Sequence, residues 1–389
     1  MKNRKKIFVL ATFPPTIGGS PIFLSNLFKQ LDKEDYFVLS GIDKKRADYS
    51  TKFDCNIYYL ENPLKKFIPF KIINKLFIFV YILYGLLLIL RHRPGIIMAN
   101  YPRPDYCIAA YYLSKLTGIP LVTYMHDLWS ENISDPFEKK LATRYEPKLM
   151  HHSEIIYAIT DKAKDFYHNK YKIENIVVLP HSIDPNFGVD YPEEINNEIA
   201  KEFLASSKYI KLVFVGAIYK MNSDALHFIT KAIHGSKFKL LLCTTTPKKS
   251  LIKLGMLNNN VVSTMTNRSD AWSIQKQSDI ILIPLSFNSI KHEIETVFPT
   301  KVLEHLLAKT PMLSVSPNYS FLHEDIAKHD YSATLTELKA DQLLNVLDIL
   351  TKDKYLKKTL VDNALKYAEM RKATNIINIF TDSMNQLIR

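Results

Sequence analysis

The chain has 389 residues, of which 47% are hydrophobic and 23% are charged, so it can bury a full core and disorder is excluded. By length, two domains are expected rather than one. Its three cysteines, Cys55, Cys107 and Cys243, lie far apart. That spacing excludes a disulfide framework and a CxxC metal site, and it favours a reducing cytoplasm.

The formal net charge of +12 favours anionic partners, which include nucleic acid, anionic membranes and phosphorylated ligands. Residues 1–186 hold 26 of the Lys and Arg and 18 of the Asp and Glu, so they carry a charge of +8. The sequence shows no nucleic-acid-binding module and no basic residues interleaved with aromatics. We therefore predict no nucleic-acid partner.

Short apolar runs alternate with longer stretches of helical spacing through the first half of the chain. The alternation predicts βαβ units and a parallel sheet of the Rossmann type. The predicted strands are 7–11, 37–39, 95–99, 121–124, 155–159 and 176–179. The clearest predicted helices are 21–31 and 106–116.

The longest uncharged apolar run is 76–90, whose 15 residues fall short of the roughly 20 needed to cross a bilayer as a helix. It predicts a core helix packed on a sheet, or a helix that also enters a membrane surface, and the two can hold together. Basic residues flank the run on both sides, which anionic headgroups would favour. They are Lys65, Lys66, Lys71, Lys75, Arg91 and Arg93.

The same alternation restarts after a polar, acidic interval at 184–199. Strands are predicted at 211–215, 239–243, 261–264, 280–283 and 311–315, a helix at 223–233, and further helices from 335 onward. We therefore predict an α/β chain with Rossmann-like domains at 1–183 and 184–365. A C-terminal helix at 366–389 is predicted to pack back towards the N-terminal domain. Two such domains facing each other across a cleft would place the carboxyl ends of both sheets on it.

The loop after the first strand, 13–20, has the sequence FPPTIGGS. Gly18 and Gly19 permit a tight backbone, so amides at the following helix could approach a phosphate, although an ordinary strand-to-helix turn fits equally well. Ser20 is the predicted helix cap, with Pro21 at the first helical position. The absence of GxGxxG and GxxxxGK[ST] argues against a nicotinamide dehydrogenase and a P-loop enzyme.

A histidine follows the predicted strand 121–124, in the segment YMHDLW. His126 at the carboxyl end of a strand is placed to hydrogen-bond a substrate hydroxyl, with Asp127 fixing the orientation of its ring. A structural histidine is the alternative. We take His126 and Asp127 as the catalytic candidates.

The segment 297–312, VFPTKVLEHLLAKTPM, predicts a helix that starts after Pro299 and Thr300. Lys301 then lies in the first turn and Glu304 on the same face at i+3. A helix N-terminus with a lysine suits a diphosphate, and a carboxylate one turn deeper suits a ribose diol. Spacing alone is equally compatible with a surface salt bridge.

Taken in order, six segments resemble the retaining GT-B glycosyltransferases of family four across nearly the whole chain. They are FPPTIGGS, HDLW, VVLPHSID, LVFVGAIYK, SDIILIPL and FPTKVLEHLLAKTPML. The resemblance implies a glycine loop near the donor diphosphate at Gly18 and Gly19, and a donor-sugar contact from His126. It also implies an interdomain linker near 181–184 and a nucleotide-binding C-terminal domain with Glu304 on the ribose.

The sequence departs from the family's Glu-x7-Glu motif. Its first glutamate would fall at position 296, where this chain has Thr296. Glu293 and Glu295 are near but out of register.

The family's Arg and Lys pair after the first glycine of the C-terminal domain is also disturbed, because Ala217 follows Gly216. Candidates for holding the donor phosphates are therefore Lys220, Arg268 and Lys301. We predict that Gly216 and Thr300 also contact the donor.

The resemblance implies transfer of a sugar from a nucleoside diphosphate sugar to a saccharide or lipid-linked acceptor, with retention, in cell-surface polysaccharide or glycoconjugate biosynthesis. Without a DxD motif or a His/Asp cluster at ligand spacing, we expect no metal and no other cofactor. We expect the protein in the cytoplasm, or peripherally on the inner face of the cytoplasmic membrane. Two alternatives stay open, a nucleotide-sugar epimerase of the same fold and a catalytically silent membrane-associated scaffold.

Overall fold

The computed structural model describes residues 6–16, 18–42, 47, 53–60, 70–133 and 135–388, with only the backbone of 70–75 and 388. The described residues form two compact units. The first comprises residues up to Asp184 together with those from Lys372 onward, and the second is Pro185–Arg371.

The first unit is built on a seven-stranded sheet in the order β3-β2-β1-β4-β5-β6-β7, and every described pair is parallel. The strands are β1 (Ile7–Leu10), β2 (Tyr36–Gly41), β3 (Asn56–Leu60), β4 (Ile96–Tyr101), β5 (Leu121–Met125), β6 (Ile155–Ala158) and β7 (Ile176–Val178). The helices are α1 (Gly19–Phe28), α2 (Phe70–His92), α3 (Pro104–Thr117), α4 (Trp129–Asn132), α5 (Pro136–His152) and α6 (Asp161–Tyr171), joined by α16 (Ala373–Ile388) from the chain's end.

Both faces of this sheet are buried, which explains its continuous apolar strands. Phe8 and Leu10 belong to one hydrophobic core, whereas Ile7 and Val9 belong to the core on the other face. The alternation follows from the two-residue period of a strand. All six strands predicted in this half are present.

The apolar run 76–90 lies within α2, so the predicted core helix is confirmed. Phe77 and Tyr81 point into the core, and a Cβ added at Gly85 would lie 2.6 Å from a methyl group of Leu113 on α3. Among the described residues, no helix has both the length and the hydropathy to span a bilayer.

The C-terminal helix α16 completes the first unit's core. Phe380 packs edge-on against Phe28, and the hydroxyl groups of Tyr157 and Ser383 lie 2.6 Å apart. At the start of α16, the Ala373 amide donates to the Ile183 carbonyl. The last sixteen helical residues are therefore held by apolar packing and by hydrogen bonds.

The second unit is built on a six-stranded parallel sheet in the order β10-β9-β8-β11-β12-β13. The strands are β8 (Ile210–Val215), β9 (Phe238–Cys243), β10 (Val261–Thr264), β11 (Ile280–Pro284), β12 (Met312–Val315) and β13 (Ala333–Leu335). The helices are α7 (Glu198–Ala205), α8 (Ser223–Ala232), α9 (Lys248–Lys253), α10 (Arg268–Gln277), α11 (Lys291–Thr296), α12 (Lys301–His305), α13 (Phe321–His329), α14 (Ala340–Lys352) and α15 (Lys354–Met370).

In each sheet the strand order reverses once, between β1 and β4 in the first unit and between β8 and β11 in the second. Open parallel sheets bind ligands outside the carboxyl ends of their strands at this reversal. The candidate residues must therefore be located relative to these two points.

Candidate functional site

A cavity of about 240 Å³ lies at the reversal point of the second sheet. The carboxyl ends of β8 and β11 form its floor, and the start of α12 contributes to its wall. Its polar and loop residues are Gly216, Ala217, Tyr219, Asn222, Pro284, Pro299, Thr300, Lys301 and His305. The predicted donor residues Gly216, Thr300 and Lys301 thus share one cavity.

The chain leaves β8 through Gly216, where the backbone has a φ of 154°. A Cβ there would lie 3.3 Å from the Phe214 ring, so glycine avoids both strain and crowding. Asn222 then shapes the following loop, because its Oδ1 accepts from the Tyr219 amide and its Nδ2 donates to the Ala217 carbonyl, each at 3.0 Å. Sequence analysis missed Asn222, whose role depends on a local loop geometry that no motif encodes.

Glu304 stands between two cations beside this cavity. Its Oε1 accepts from Arg268 Nη2 at 2.8 Å, and its Oε2 accepts from Lys301 Nζ at 2.9 Å. The helix start after Thr300 and the Lys301–Glu304 contact at i+3 are confirmed. Arg268 begins α10, which the Asn267 side chain caps by accepting from the Asp270 amide.

The charges of this cluster are unevenly exposed. The Glu304 side chain is 16% exposed, against 40% for Arg268 and 44% for Lys301. Burial alone would raise the pKa of Glu304, but Lys301 and Arg268 hold that pKa below its usual value, so the group is an ionised carboxylate. The cluster is therefore a partly buried carboxylate between two exposed cations, with one excess positive charge. The salt bridge that spacing allowed is present, and Arg268 adds a second cation to it.

Arg268 is also held by an aromatic ring that sequence analysis missed. Its guanidinium carbon lies 4.9 Å from the ring centre of Phe187, and Phe187 packs edge-on against Trp272. A cation over a ring face is attracted to its electron-rich surface. Arg268 is thus positioned from two sides, by Glu304 and by Phe187.

Lys220 is directed to a different partner. Its Nζ lies 3.1 Å from Oε2 of Glu293, a buried carboxylate on α11. Thr296, at the position of the family's first glutamate, is buried and donates its hydroxyl to the His292 carbonyl. Of the two nearby glutamates, Glu293 therefore meets one of the candidate phosphate-binding cations, whereas Glu295 pairs with His292.

His305 is a further buried group on the cavity wall that sequence analysis missed. Its Nδ1 is hydrogen-bonded to Oε1 of Gln275. Burial, with a smaller contribution from Lys301, lowers the pKa of His305 to about 3, so the ring is neutral at physiological pH. Its position one helical turn after Lys301 was visible in the sequence, but its burial was not.

In the first unit, the glycine pair lies at the start of α1. Gly18 has a φ of 147° and occupies the cap position, and Gly19 is the first helical residue and is exposed. The predicted cap at Ser20 was wrong, since the helix begins at Gly19, two residues before the predicted Pro21, and has no side-chain cap. Pro21 fits inside the first turn because amides there have no intrahelical partner.

His126 follows β5 and is buried against a second imidazole. Its Nδ1 lies 2.7 Å from Nε2 of His181, and the two rings stack with their centres 4.9 Å apart. Its Nε2 is buried, and no residue in the described part of the chain hydrogen-bonds to it. Burial lowers the pKa of His126 to about 3. The ring is therefore a neutral imidazole whose tautomer is coupled to that of His181.

The predicted orientation of this ring by Asp127 is not seen, because the His126 Nδ1 is hydrogen-bonded to His181 and, among the described residues, Nε2 has no partner. The Asp127 carbonyl instead accepts from the Tyr167 hydroxyl at 3.1 Å. Sequence analysis missed His181 since it lies 55 residues from His126, in a segment taken as a linker.

Behind the loop that carries His126, an ion cluster built on the buried Glu146 fixes α4. Lys170 donates to Glu131 at 2.7 Å and to Glu146 at 3.3 Å, and Glu146 also accepts from the Tyr171 hydroxyl at 2.8 Å. Trp129 is fully buried beside it. The segment HDLW is therefore anchored on its C-terminal side by a charged network.

The structure thus brings Arg268, Lys301 and Glu304 into direct contact beside the cavity that Gly216 and Thr300 line. Lys220 lies with Glu293, and the first unit holds the other candidates. Within the described part of the chain, no three His, Cys, Asp or Glu side chains are grouped so that they could bind a metal ion.

Comparison with known proteins supports the family resemblance. Residues 17–187 match the family model described as Glycosyltransferase Family 4. No curated protein sequence matches the chain. The predicted resemblance to family four is thus confirmed over residues 17–187.

Solved structures match the whole chain at low identity. Sucrose-phosphate synthase from Thermosynechococcus elongatus has a TM-score of 0.74 and 12% identity over 99% of each chain. A glycosyltransferase from Rickettsia africae has a TM-score of 0.71 and 15% identity over 99% of each chain. Anabaena HepE, solved with UDP and glucose, has a TM-score of 0.69 and 12% identity over 98% of this chain and 100% of that one. These likenesses show that the chain has the α/β GT-B fold, as predicted.

Proposed function

We propose, starting from the GT-B fold and the Glycosyltransferase Family 4 match over residues 17–187, that this chain is a glycosyltransferase that uses a nucleoside diphosphate sugar as donor. The observation that carries the donor assignment is the Arg268–Glu304–Lys301 cluster beside the cavity at β8 and β11. It combines an ionised acceptor for hydroxyl groups with cations for phosphate. A ribose next to a diphosphate presents both chemistries.

In this assignment, Glu304 accepts hydrogen bonds from the ribose hydroxyl groups. Because its pKa is held low, the carboxylate stays a charge-assisted acceptor at neutral pH. Lys301 and Arg268, each well exposed on one side, bind the diphosphate oxygens. Lys220 is the third candidate for this phosphate contact.

Transfer requires the diphosphate to leave as the anomeric carbon gains positive charge, so stabilising the leaving group is the main catalytic task. Lys301 and Arg268 supply that stabilisation, and the family resemblance suggests a phosphate contact for Gly18 and Gly19. His126, as a neutral imidazole, is assigned to a hydroxyl of the transferring sugar. Retention at the anomeric carbon is supported by the family match alone.

We further propose that the acceptor is a saccharide or a lipid-linked saccharide, in cell-surface polysaccharide or glycoconjugate biosynthesis, and that the protein acts at the cytoplasmic face of the membrane. The excess charge of residues 1–186 supports this location, since basic proteins are attracted to anionic headgroups.

A panel of nucleoside diphosphates and their sugars tests the donor assignment. A ligand that binds only the folded state raises the melting temperature by mass action, so the correct donor should be found by thermal shift. Product analysis then separates the alternatives. Transfer needs an added acceptor, whereas an epimerase converts the donor alone, and a silent scaffold would show no response to any nucleotide.

A further inference from the structure

Helix α2 presents a continuous row of large apolar side chains to solvent. The row follows a helical spacing of three or four residues, so its members lie on one face. They are Leu76, Phe79, Leu83, Leu87 and Leu90, exposed by 44, 56, 49, 61 and 74%. From Leu76 to Leu90 the row extends about 21 Å along the helix. We call these five residues the α2 stripe.

The opposite face of α2 is fixed to the first unit, so the stripe belongs to a rigid element. Phe77, Tyr81 and Leu88 are buried in the core. At Gly85 the helix approaches Leu113 so closely that even a methyl group would collide. The stripe is therefore presented at a set angle and cannot turn inward.

Positive charge borders the carboxyl end of the stripe. Arg91 and Arg93 are exposed there. Both α2 and α3 connect parallel strands and pack side by side, so they run in the same direction. Gly85 and Leu113 are in contact, so Lys115 and Leu116, two and three residues further along α3, lie level with the last turns of the stripe. Both are exposed.

Negative charge is absent from the same part of the sequence. From residue 62 to residue 104 there is no Asp or Glu. A second copy docked symmetrically through the same face would offer only this apolar and basic surface in return, and its charges would repel. An anionic bilayer complements both features, because its headgroups attract cations and its acyl boundary accepts apolar side chains.

We propose that the α2 stripe docks on an anionic bilayer, with α2 lying in the plane of the interface and Arg91, Arg93 and Lys115 among the headgroups. This proposal rests on the proposed location at the membrane face and names the surface that would bind there. It is separate from the donor cluster in the second unit, so nucleotide binding can be scored independently.

Vesicle co-sedimentation tests the surface. The probes are phosphatidylcholine vesicles with and without phosphatidylglycerol, at low and high salt. The full chain should bind only the anionic vesicles, and salt should weaken that binding. The double variant Leu83→Gln/Leu87→Gln should bind about tenfold more weakly, because two side chains lose their favourable transfer from water.

A second variant and a control separate charge from apolar contact. Arg91→Gln/Arg93→Gln should lower low-salt binding by about tenfold and flatten its salt dependence. Ile252→Gln, at a side chain 60% exposed in the second unit, should bind like the unmodified chain. Because Leu83 and Leu87 are exposed, their variant should keep the unfolding midpoint and the nucleotide affinity.

Each outcome is decisive. Anionic vesicle binding that the Leu83→Gln/Leu87→Gln variant retains in full would overturn the α2 stripe while leaving membrane location intact. No binding to anionic vesicles at low salt would overturn both. A dimer in sedimentation that the leucine variant dissolves would show that a second copy covers the stripe.

Discussion

Each unit places a polar group near the carboxyl end of its parallel sheet, but the two groups hold charge in opposite ways. In the first unit, His126 and His181 are buried, stacked rings, and burial keeps His126 neutral. In the second unit, Glu304 is partly buried yet ionised, because Arg268 and Lys301 balance its charge. Burial disfavours the charged form of a group that has no counter-ion. Two counter-ions outweigh that effect and keep the group charged.

In the proposed function, the difference corresponds to two kinds of ligand contact. A neutral imidazole can exchange a hydrogen bond with a sugar hydroxyl without attracting the diphosphate. The charged cluster suits phosphate and a ribose diol. Four experiments test the comparison. They titrate the neutral buried histidines, remove the Glu304 carboxylate, remove the His126 imidazole, and compare the lysines that are candidates for binding phosphate.

The largest expected effect is on the pH dependence of stability. The folded pKa values of His126 and His305 are about 3, below the unfolded value near 6.5. As pH falls through 6.5, the unfolded chain takes up protons that the folded chain cannot. The free energy of unfolding is therefore highest above pH 6.5 and should decline towards pH 3, by roughly 1 kcal/mol per pH unit for each histidine.

Denaturant unfolding between pH 4.5 and 7 measures this slope. His305→Gln should flatten it by roughly 1 kcal/mol per pH unit, whereas His234→Gln, at an exposed histidine in the same unit, should leave it unchanged. Identical slopes for His305→Gln and the unmodified chain would show that His305 is protonated in the folded state.

Removing the charged acceptor comes next. Glu304→Ala should weaken binding of the nucleoside diphosphate sugar by about 1 to 3 kcal/mol, because the ribose hydroxyl groups lose a charged partner. Binding of inorganic pyrophosphate should persist, since Arg268 and Lys301 remain. Calorimetry with both ligands measures the two effects.

Glu193→Ala is the matched control, because Glu193 is also ion-paired in the second unit but its side chain is 89% exposed. It should leave both affinities unchanged. An unaltered donor affinity in a folded Glu304→Ala protein would remove Glu304 from the donor site.

Much of the fold, and less of the site, could be predicted from the sequence. Strands buried on both faces are continuous apolar runs, so β1 and β11 were evident. The strands β3 and β13 were missed because their residues are partly exposed at the sheet edges. Within the site, Lys301 and Glu304 are neighbours on one helix, so spacing predicts their contact.

Contacts between distant segments could not be predicted in this way. Arg268 reaches Glu304 across 36 positions, and His181 reaches His126 across 55. The sequence gives the residue types, whereas strand order and loop geometry decide the pairs. Asp127 was taken as the partner of His126 because it is adjacent, although adjacent residues rarely direct their side chains at each other.

Removing the imidazole should affect turnover more than binding. If His126 contacts the transferring sugar, His126→Ala should lower kcat by about tenfold. That is the effect of losing one hydrogen bond worth slightly more than about 1 kcal/mol. The dissociation constant of the nucleoside diphosphate should stay unchanged. His151→Ala, at an exposed histidine of the same unit, is the control. Equal losses in kcat and in nucleotide affinity would make His126 a structural residue.

The smallest expected effect distinguishes the candidate cations. Lys301 lines the cavity, whereas Lys220 does not and is paired with Glu293. Half of the Lys220 side chain is exposed, so solvent screens its charge. An ion pair that it forms with a phosphate should therefore contribute less than about 1 kcal/mol. Lys220→Met should therefore change the dissociation constant of the nucleoside diphosphate less than about fivefold.

In calorimetry at low salt, Lys301→Met should lose much more nucleotide affinity than Lys220→Met, because Lys301 lines the cavity and contacts Glu304. Lys253→Met, at an exposed lysine in the same unit, gives the baseline for losing one positive charge. A larger loss for Lys220→Met than for Lys301→Met would contradict this ranking. It would move the phosphate contact to the Lys220–Glu293 pair, where the carboxylate on α11 positions the cation, and leave Lys301 as the partner that holds Glu304 ionised.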